Sequence, residues 1–123
     1  PQPHPNVIQW FEQIPIDAIF LSVLTLGEIR KGIEKIKDNS RKKKLLIWLE
    51  QDLINMFNTR ILEISADVAD RWGRLQCQVK RTLPAIDSLI AATVLHHDMT
   101  LVTRNTTDFS DCPGLEIFNP WID

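Results

Sequence analysis

Residues 84–109 read PAIDSLIAATVLHHDMTLVTRNTTDF, and the succession of residue types in this stretch decides the fold class. Leu83 and Pro84 break the helix before them, and Asp87 follows in the first turn of a new one. From Leu89 through Leu95 the side chains are apolar on most faces, so Ala85–His96 is predicted as the most buried helix of the molecule. Thr100–Thr103 is predicted as a strand, and Asn105 and Asp108 stand just past its carboxyl end. A carboxylate on so apolar a helix is costly to bury unless a cation or several donors compensate it.

Working outward, the same alternation of helix and strand continues. Pro5 suits a first helical position, and Val7, Ile8, Phe11 and Ile14 recur at helical spacing, which predicts a short amphipathic helix over 5–13. Ile16–Val23 contains the nearly unbroken apolar run AIFLSV, as expected of a strand covered on both faces. Helices are predicted over 25–37 and from Ser40 onward, the second with a stripe of Leu45, Leu49, Leu53 and Met56. Ile61–Ile64 reads as a short strand and 66–81 as a helix with Val68, Trp72, Leu75 and Val79 on one side. Leu115–Phe118 completes the set as a last strand before Asn119, Pro120 and Trp121. Strands separated by helices, with no hairpin signal between apolar runs, predict an α/β domain with a mainly parallel sheet.

A chain of 123 residues, 44% hydrophobic and 24% charged, is expected to fold as one domain over 1–123 around one core. No apolar run approaches the roughly 20 residues that span a bilayer, and PQPHP resembles no signal segment, so a cytoplasmic location and no membrane partner are expected. Cys77 and Cys112 lack zinc-type spacing and are read as free thiols. A net charge of −2 excludes coating a nucleic acid by bulk electrostatics, leaving local basic groups such as Arg41–Lys44. Those four cations lie in a predicted first helical turn, which the helix dipole disfavours; a solvated surface and an anionic partner both account for them.

Glu28 in TLGEIRKGI also follows a predicted strand, so Glu28, Asn105 and Asp108 all fall beyond the carboxyl ends of strands. In an open parallel sheet those loops face one crevice. Each acid has an ordinary structural reading as well. Thr25 and Glu28 have capping-box spacing, Asn105 and Asp108 loosely match it, and Asp87 complements a helix dipole. Taken together the carboxylates point to a hard-cation site and, from there, to phosphodiester cleavage. His96 and His97 are assigned to the end of their helix, where a protonated imidazole complements the dipole, and His4 receives no role.

The segments IDSLIAATVLHHDMTLVTRNTTDF, TLGEIRKGI and IFNPW, in this chain's order, resemble the PIN-domain ribonucleases of the VapC and FitB type, the toxin halves of bacterial toxin–antitoxin pairs. The resemblance covers nearly the whole chain. It implies a PIN-like α/β/α sandwich with a small, mainly parallel sheet, a Mg²⁺ or Mn²⁺ site, and endonucleolytic cleavage of RNA leaving a 5′-phosphate and a 3′-hydroxyl. By matching position, Glu28, Asp87 and Asp108 are the catalytic and metal-binding acids, with Asn105 as a further ligand and Thr103 as a polar support. Many relatives have an aspartate where Asn105 stands, and a neutral amide binds metal more weakly. It implies also a homodimer and an antitoxin whose helix lies in an apolar groove, for which Ile33, Ile36, Leu46 and Trp48 are candidates.

The family pattern opens with a strand and turn bearing another aspartate, a segment with no counterpart before PQPHPNV. The expectation is therefore of a fragment, with weak metal binding and little cleavage unless that strand is restored. Arg104 is the candidate phosphate clamp, with a salt bridge to Asp108 or Glu28 as its structural alternative. Lys31, with Arg30, Lys35, Lys37 and Arg41–Lys44, is expected to line a rim that attracts the phosphate backbone. A folded RNA such as a tRNA suits a site that recognises shape and single-stranded loops. Two rival readings stay open: a catalytically impaired PIN-like module that binds antitoxin or RNA without cutting, and a receiver-type phosphotransfer domain, against which the absence of any lysine after Lys80 counts.

Overall fold

The structure, a computed structural model, describes residues 5–121. The chain divides into two compact units, one drawn from Pro1–Ala18 and Ile64–Asp123, the other from Ile19–Glu63. Helix and parallel strand alternate as expected, but the expected small sheet is present as two separate two-stranded ladders, one in each unit. The α/β class of the sequence reading holds.

In the first unit, α1 (Pro5–Gln13), α5 (Ala66–Gln78) and α6 (Ala85–His96) accompany β3 (Thr100–Val102) and β4 (Glu116–Phe118). β3 and β4 run parallel, with Leu101 opposite Ile117. α6 has the predicted bounds and buries Ser88, Ala91, Ala92, Thr93 and Val94, because one face packs on α5 and another on the strands. The core gathers Leu75 and Val79, Ala91 and Val94, Leu101, and Phe109 with Cys112. Burial pushes the Cys112 thiol up, which keeps it protonated and inert, and Cys77 is also a free thiol. α6 passes into β3 through Asp98, whose φ of 54° is left-handed. The Asp98 N–H donates to the Leu95 carbonyl and the Met99 N–H to that of Val94, a pairing that satisfies the last carbonyls of the helix. α5 ends at Gln78 rather than at Arg81, because Val79 turns to extended backbone and is buried. Only Val7 of α1 is buried; Ile8 and Phe11 are exposed.

In the second unit, β1 (Leu21–Ser22) pairs in parallel with β2 (Ile61–Leu62), and between them run α2 (Val23–Glu34), α3 (Asn39–Ile47), a π-helical segment (Trp48–Leu53) and α4 (Ile54–Phe57). The strand predicted over Ile16–Val23 is only two residues long. Pro15 accepts a turn bond from the Ala18 N–H, making a 3₁₀ turn of Ile16–Ala18, and the Ser22 hydroxyl caps the Leu24 N–H, which starts α2 two residues early. An unbroken apolar run is equally compatible with a strand and a buried helix start. α3 is capped by Asp38, which accepts from the N–H groups of Ser40 and Arg41, so Ser40 is not its cap. That carboxylate also offsets the unfavourable placement of Arg41–Lys44.

The stripe predicted as Leu45, Leu49, Leu53 and Met56 ends differently: Phe57 is 6% exposed and Met56 51%. Steps of four residues drift around an α-helix because a turn holds about 3.6. The π-helical segment widens the turn, so Leu45, Leu49, Leu53 and Phe57 stay on one face. Arg60 closes this unit by donating to the carbonyls of Ile19 and Met56 while its guanidinium lies over the Phe57 ring. No helix among the described residues is long and apolar enough to cross a membrane.

Candidate active site

Asp87 occupies the third position of α6, half-buried, with no hydrogen bond or ion pair among the described residues. It caps nothing: Pro84 is the N-cap and supplies no side-chain bond. Its neighbour Ser88 fixes the turn. The Ser88 hydroxyl is 1% exposed, donates to the Ala85 carbonyl at 2.9 Å, and accepts from Trp72 Nε1 at 2.8 Å and Gln76 Nε2 at 3.1 Å on α5. Three bonds converge on one oxygen, so the backbone that carries Asp87 is clamped to α5. Ser88→Ala leaves both α5 donors without that acceptor and is expected to cost about 1–3 kcal/mol in chemical denaturation; a loss under about 0.5 kcal/mol would show that water replaces the hydroxyl.

The loop after β3 holds the second group. The Thr103 N–H donates to the Phe118 carbonyl at 3.0 Å, and Thr103 Oγ1 accepts from the Asn105 N–H at 3.0 Å. Asn105 Nδ2 then donates to Asp108 Oδ2 at 2.6 Å. Asn105 and Asp108 are thus bonded to each other rather than to a helix end, and the short 3₁₀ turn Thr107–Phe109 has no side-chain cap. Arg81 secures the loop from beneath the sequence reading's notice. Its guanidinium donates to the Asp108 carbonyl at 2.6 Å and to both carboxylate oxygens of Asp111 at 2.9 and 3.0 Å. A bidentate pair 30 residues apart leaves no periodic signal in a sequence, whereas a hydroxyl such as Ser88 inside an apolar helix does advertise a buried polar contact.

The Arg81 guanidinium holds the Asp111 carboxyl below its ordinary value of 3.8. The folded state therefore binds that proton less readily than the unfolded chain, so the pair stabilises the fold above pH 3.8 and loses this contribution as pH falls through the lowered folded value. The stability difference between wild type and Arg81→Ala, read from denaturant midpoints, should be constant at neutral pH and shrink below about pH 4. A gap that widens on acidification would contradict the assignment.

Glu28 lies on α2 in the other unit, exposed and without a hydrogen bond or ion pair among the described residues. The capping box with Thr25 does not form, since Ser22 is the cap. Neither capping-box alternative forms, whereas Asp87 stands in the first turn of α6, where its charge complements the helix dipole. Lys31 is exposed on the same helix, whereas Arg30 is held by Glu34 and Glu50, and Lys42 by Glu34. Arg104 makes no salt bridge among the described residues; its guanidinium rests beside Trp121. Of the expected groove residues Ile33 is buried in the core, while Trp48 is exposed together with Ile47 and Ile54. A shallow groove of about 450 Å³ follows α5 along Ala69, Gly73 and Cys77, and none of the candidate residues lines it.

The candidate ligands are all oxygen donors, which suits a hard divalent cation, and Asp87 is a half-buried carboxylate with no partner among the described residues. Among the described residues no group of three or more His, Cys, Asp or Glu side chains is close enough to hold a metal ion. The donor chemistry fits; the gathering of three acids is not seen.

The PIN domain family matches residues 2–115. Toxin FitB of Neisseria gonorrhoeae is 32% identical over 126 aligned positions that cover 100% of this chain and 90% of FitB. The VapC ribonuclease Y4jK of Sinorhizobium fredii is 28% identical, covering 98% of this chain and 87% of that protein. Among solved structures, FitAB bound to an IR36 DNA fragment superposes with a TM-score of 0.92 at 30% identity, over 100% of this chain and 87% of the FitAB chain. With alternating helices and parallel strands, acids placed past strand ends and a family match across both units, this chain belongs to the PIN-domain family.

Proposed function

We propose that the protein is a metal-dependent endoribonuclease and the toxin of a bacterial toxin–antitoxin module, acting in the cytoplasm. The observation that carries this is Asp87, a half-buried carboxylate on the most apolar helix, clamped in place through Ser88 and left without a partner among the described residues. A first-turn carboxylate with no partner among the described residues keeps its oxygens open to a cation. The names of its relatives, a toxin and a ribonuclease, support the same reading.

In the proposed site Asp87 and Asp108, with Asn105, would hold Mg²⁺ or Mn²⁺, which would supply the charge that lowers the pKa of an attacking water and neutralises the scissile phosphate. Asn105 keeps Asp108 oriented by its 2.6 Å bond, and Thr103 holds the turn in which both sit. Arg81 is a positioning residue, acting through the Asp108 backbone. Lys31 attracts the phosphate backbone without reading bases, a role open to it because no acidic partner among the described residues engages it. The RNA is a folded one such as a tRNA, cut in an unpaired loop. The exposed Ile47, Trp48 and Ile54 form the face offered to an antitoxin helix, in a homodimeric assembly.

One observation favours a second reading: because no three acids are gathered among the described residues, the chain would bind RNA or antitoxin without cutting. Incubating the chain with total RNA, with and without Mn²⁺, and mapping the ends separates the two. Cuts that require Mn²⁺ and leave 5′-phosphates support the nuclease. RNA that stays intact while bound supports the second reading, and cyclic phosphate ends would overturn the metal mechanism.

A further inference from the structure

The segment Asn119–Trp121 is folded back onto the loop that carries Asn105 and Asp108. Asn119 Nδ2 donates to the Arg104 carbonyl at 3.4 Å, and Asn119 Oδ1 accepts from the Trp121 N–H at 2.9 Å, turning the chain so that the indole comes beside Arg104. The Arg104 guanidinium carbon lies 6.0 Å from the Trp121 ring centroid. Asn6 Nδ2 donates to the Trp121 carbonyl at 3.5 Å and ties the segment to α1. Pro120 is buried beneath, whereas Trp121 is half-exposed and Arg104 exposed. Two planar groups, one aromatic and one cationic, are thereby brought together at Arg104, the sequence neighbour of Asn105.

We propose that Trp121 and Arg104 form a stacking platform for an unpaired nucleobase of RNA, next to the phosphate presented to Asp108. This deepens the nuclease reading and rests on it. Every base has a π-face, so such a platform binds single strands with little sequence preference, and an arginine laid on an aromatic ring adds a cation–π term. A chain of net charge −2 has little bulk attraction for RNA, so a local contact that joins stacking to a single cation is of particular use to it. Unpaired loops can present splayed bases to it, whereas a duplex keeps its bases stacked on each other.

The test uses the full chain in EDTA, where no cleavage occurs, titrated by fluorescence anisotropy with a short single-stranded oligoribonucleotide and with the same oligomer made abasic. Wild type should prefer the intact oligomer about tenfold. In Trp121→Leu, which keeps an apolar side chain but no π-face, the two oligomers should bind equally, while Trp121→Phe should retain most of the preference. Arg104→Ala, at an exposed position that does not endanger folding, should reduce it as well. A preference undiminished in Trp121→Leu and Arg104→Ala overturns the platform and leaves the nuclease reading standing. Failure of wild type to bind either oligomer, with no Mn²⁺-dependent cleavage of total RNA, overturns both.

Discussion

Asp87→Asn is expected to lower Mn²⁺-dependent RNA cleavage by more than about 100-fold while scarcely moving the thermal midpoint. Loss of a group that merely orients a metal ligand costs about 10- to 100-fold, so loss of a ligand should exceed that range. Stability should change little because Asp87 has no hydrogen bond or ion pair among the described residues to lose, and asparagine has the same shape. The only structural term removed is the interaction of the negative charge with the amino end of α6, about 0.3–1 kcal/mol. A purely structural aspartate would give the opposite pattern, a lowered midpoint with cleavage intact. That result would end the case for Asp87 as a functional residue.

Phe57→Ala is the variant expected to damage stability most, by about 3–5 kcal/mol, against less than about 0.5 kcal/mol for Met56→Ala. The contrast follows from the π-helical segment Trp48–Leu53, which brings Phe57 into the core with Ile33, Leu49 and Leu53 and leaves Met56 in solvent. Phe57→Ala also removes the ring on which Arg60 rests. Urea denaturation of the two variants decides the matter: equal losses, or a larger one for Met56→Ala, would mean that the helix keeps an ordinary α phase through this stretch.

These two residues show where local reasoning stops. Periodicity placed α6 at its observed bounds, because a helix apolar on most faces has one plausible fate. Periodicity could not choose between Met56 and Phe57, since both are apolar and the choice depends on how neighbours force the turn to widen. The same limit applies to Ile16–Val23, where an apolar run of strand character became a 3₁₀ turn, a two-residue strand and the start of α2. There the deciding contacts are the Pro15 carbonyl and the Ser22 hydroxyl, which convert a run that pattern alone leaves ambiguous.

What the sequence by itself determined is the α/β alternation, the buried α6, and the candidates Glu28, Asp87, Asn105 and Asp108, because hydrophobic period and residue chemistry are local properties. What only the tertiary structure decided is which side chains those residues bond to. Capping accounted for Glu28 and for Asp108 until Ser22 and Thr106 were found at the helix starts instead, whereas Asp87 keeps its first-turn position on α6. Arg81, Ser88 and Trp121 are tied to the candidate segments only through contacts with residues 12 to 115 positions distant, and the directional bonds that join them depend on where the backbone brings each group, not on the spacing of residues along it.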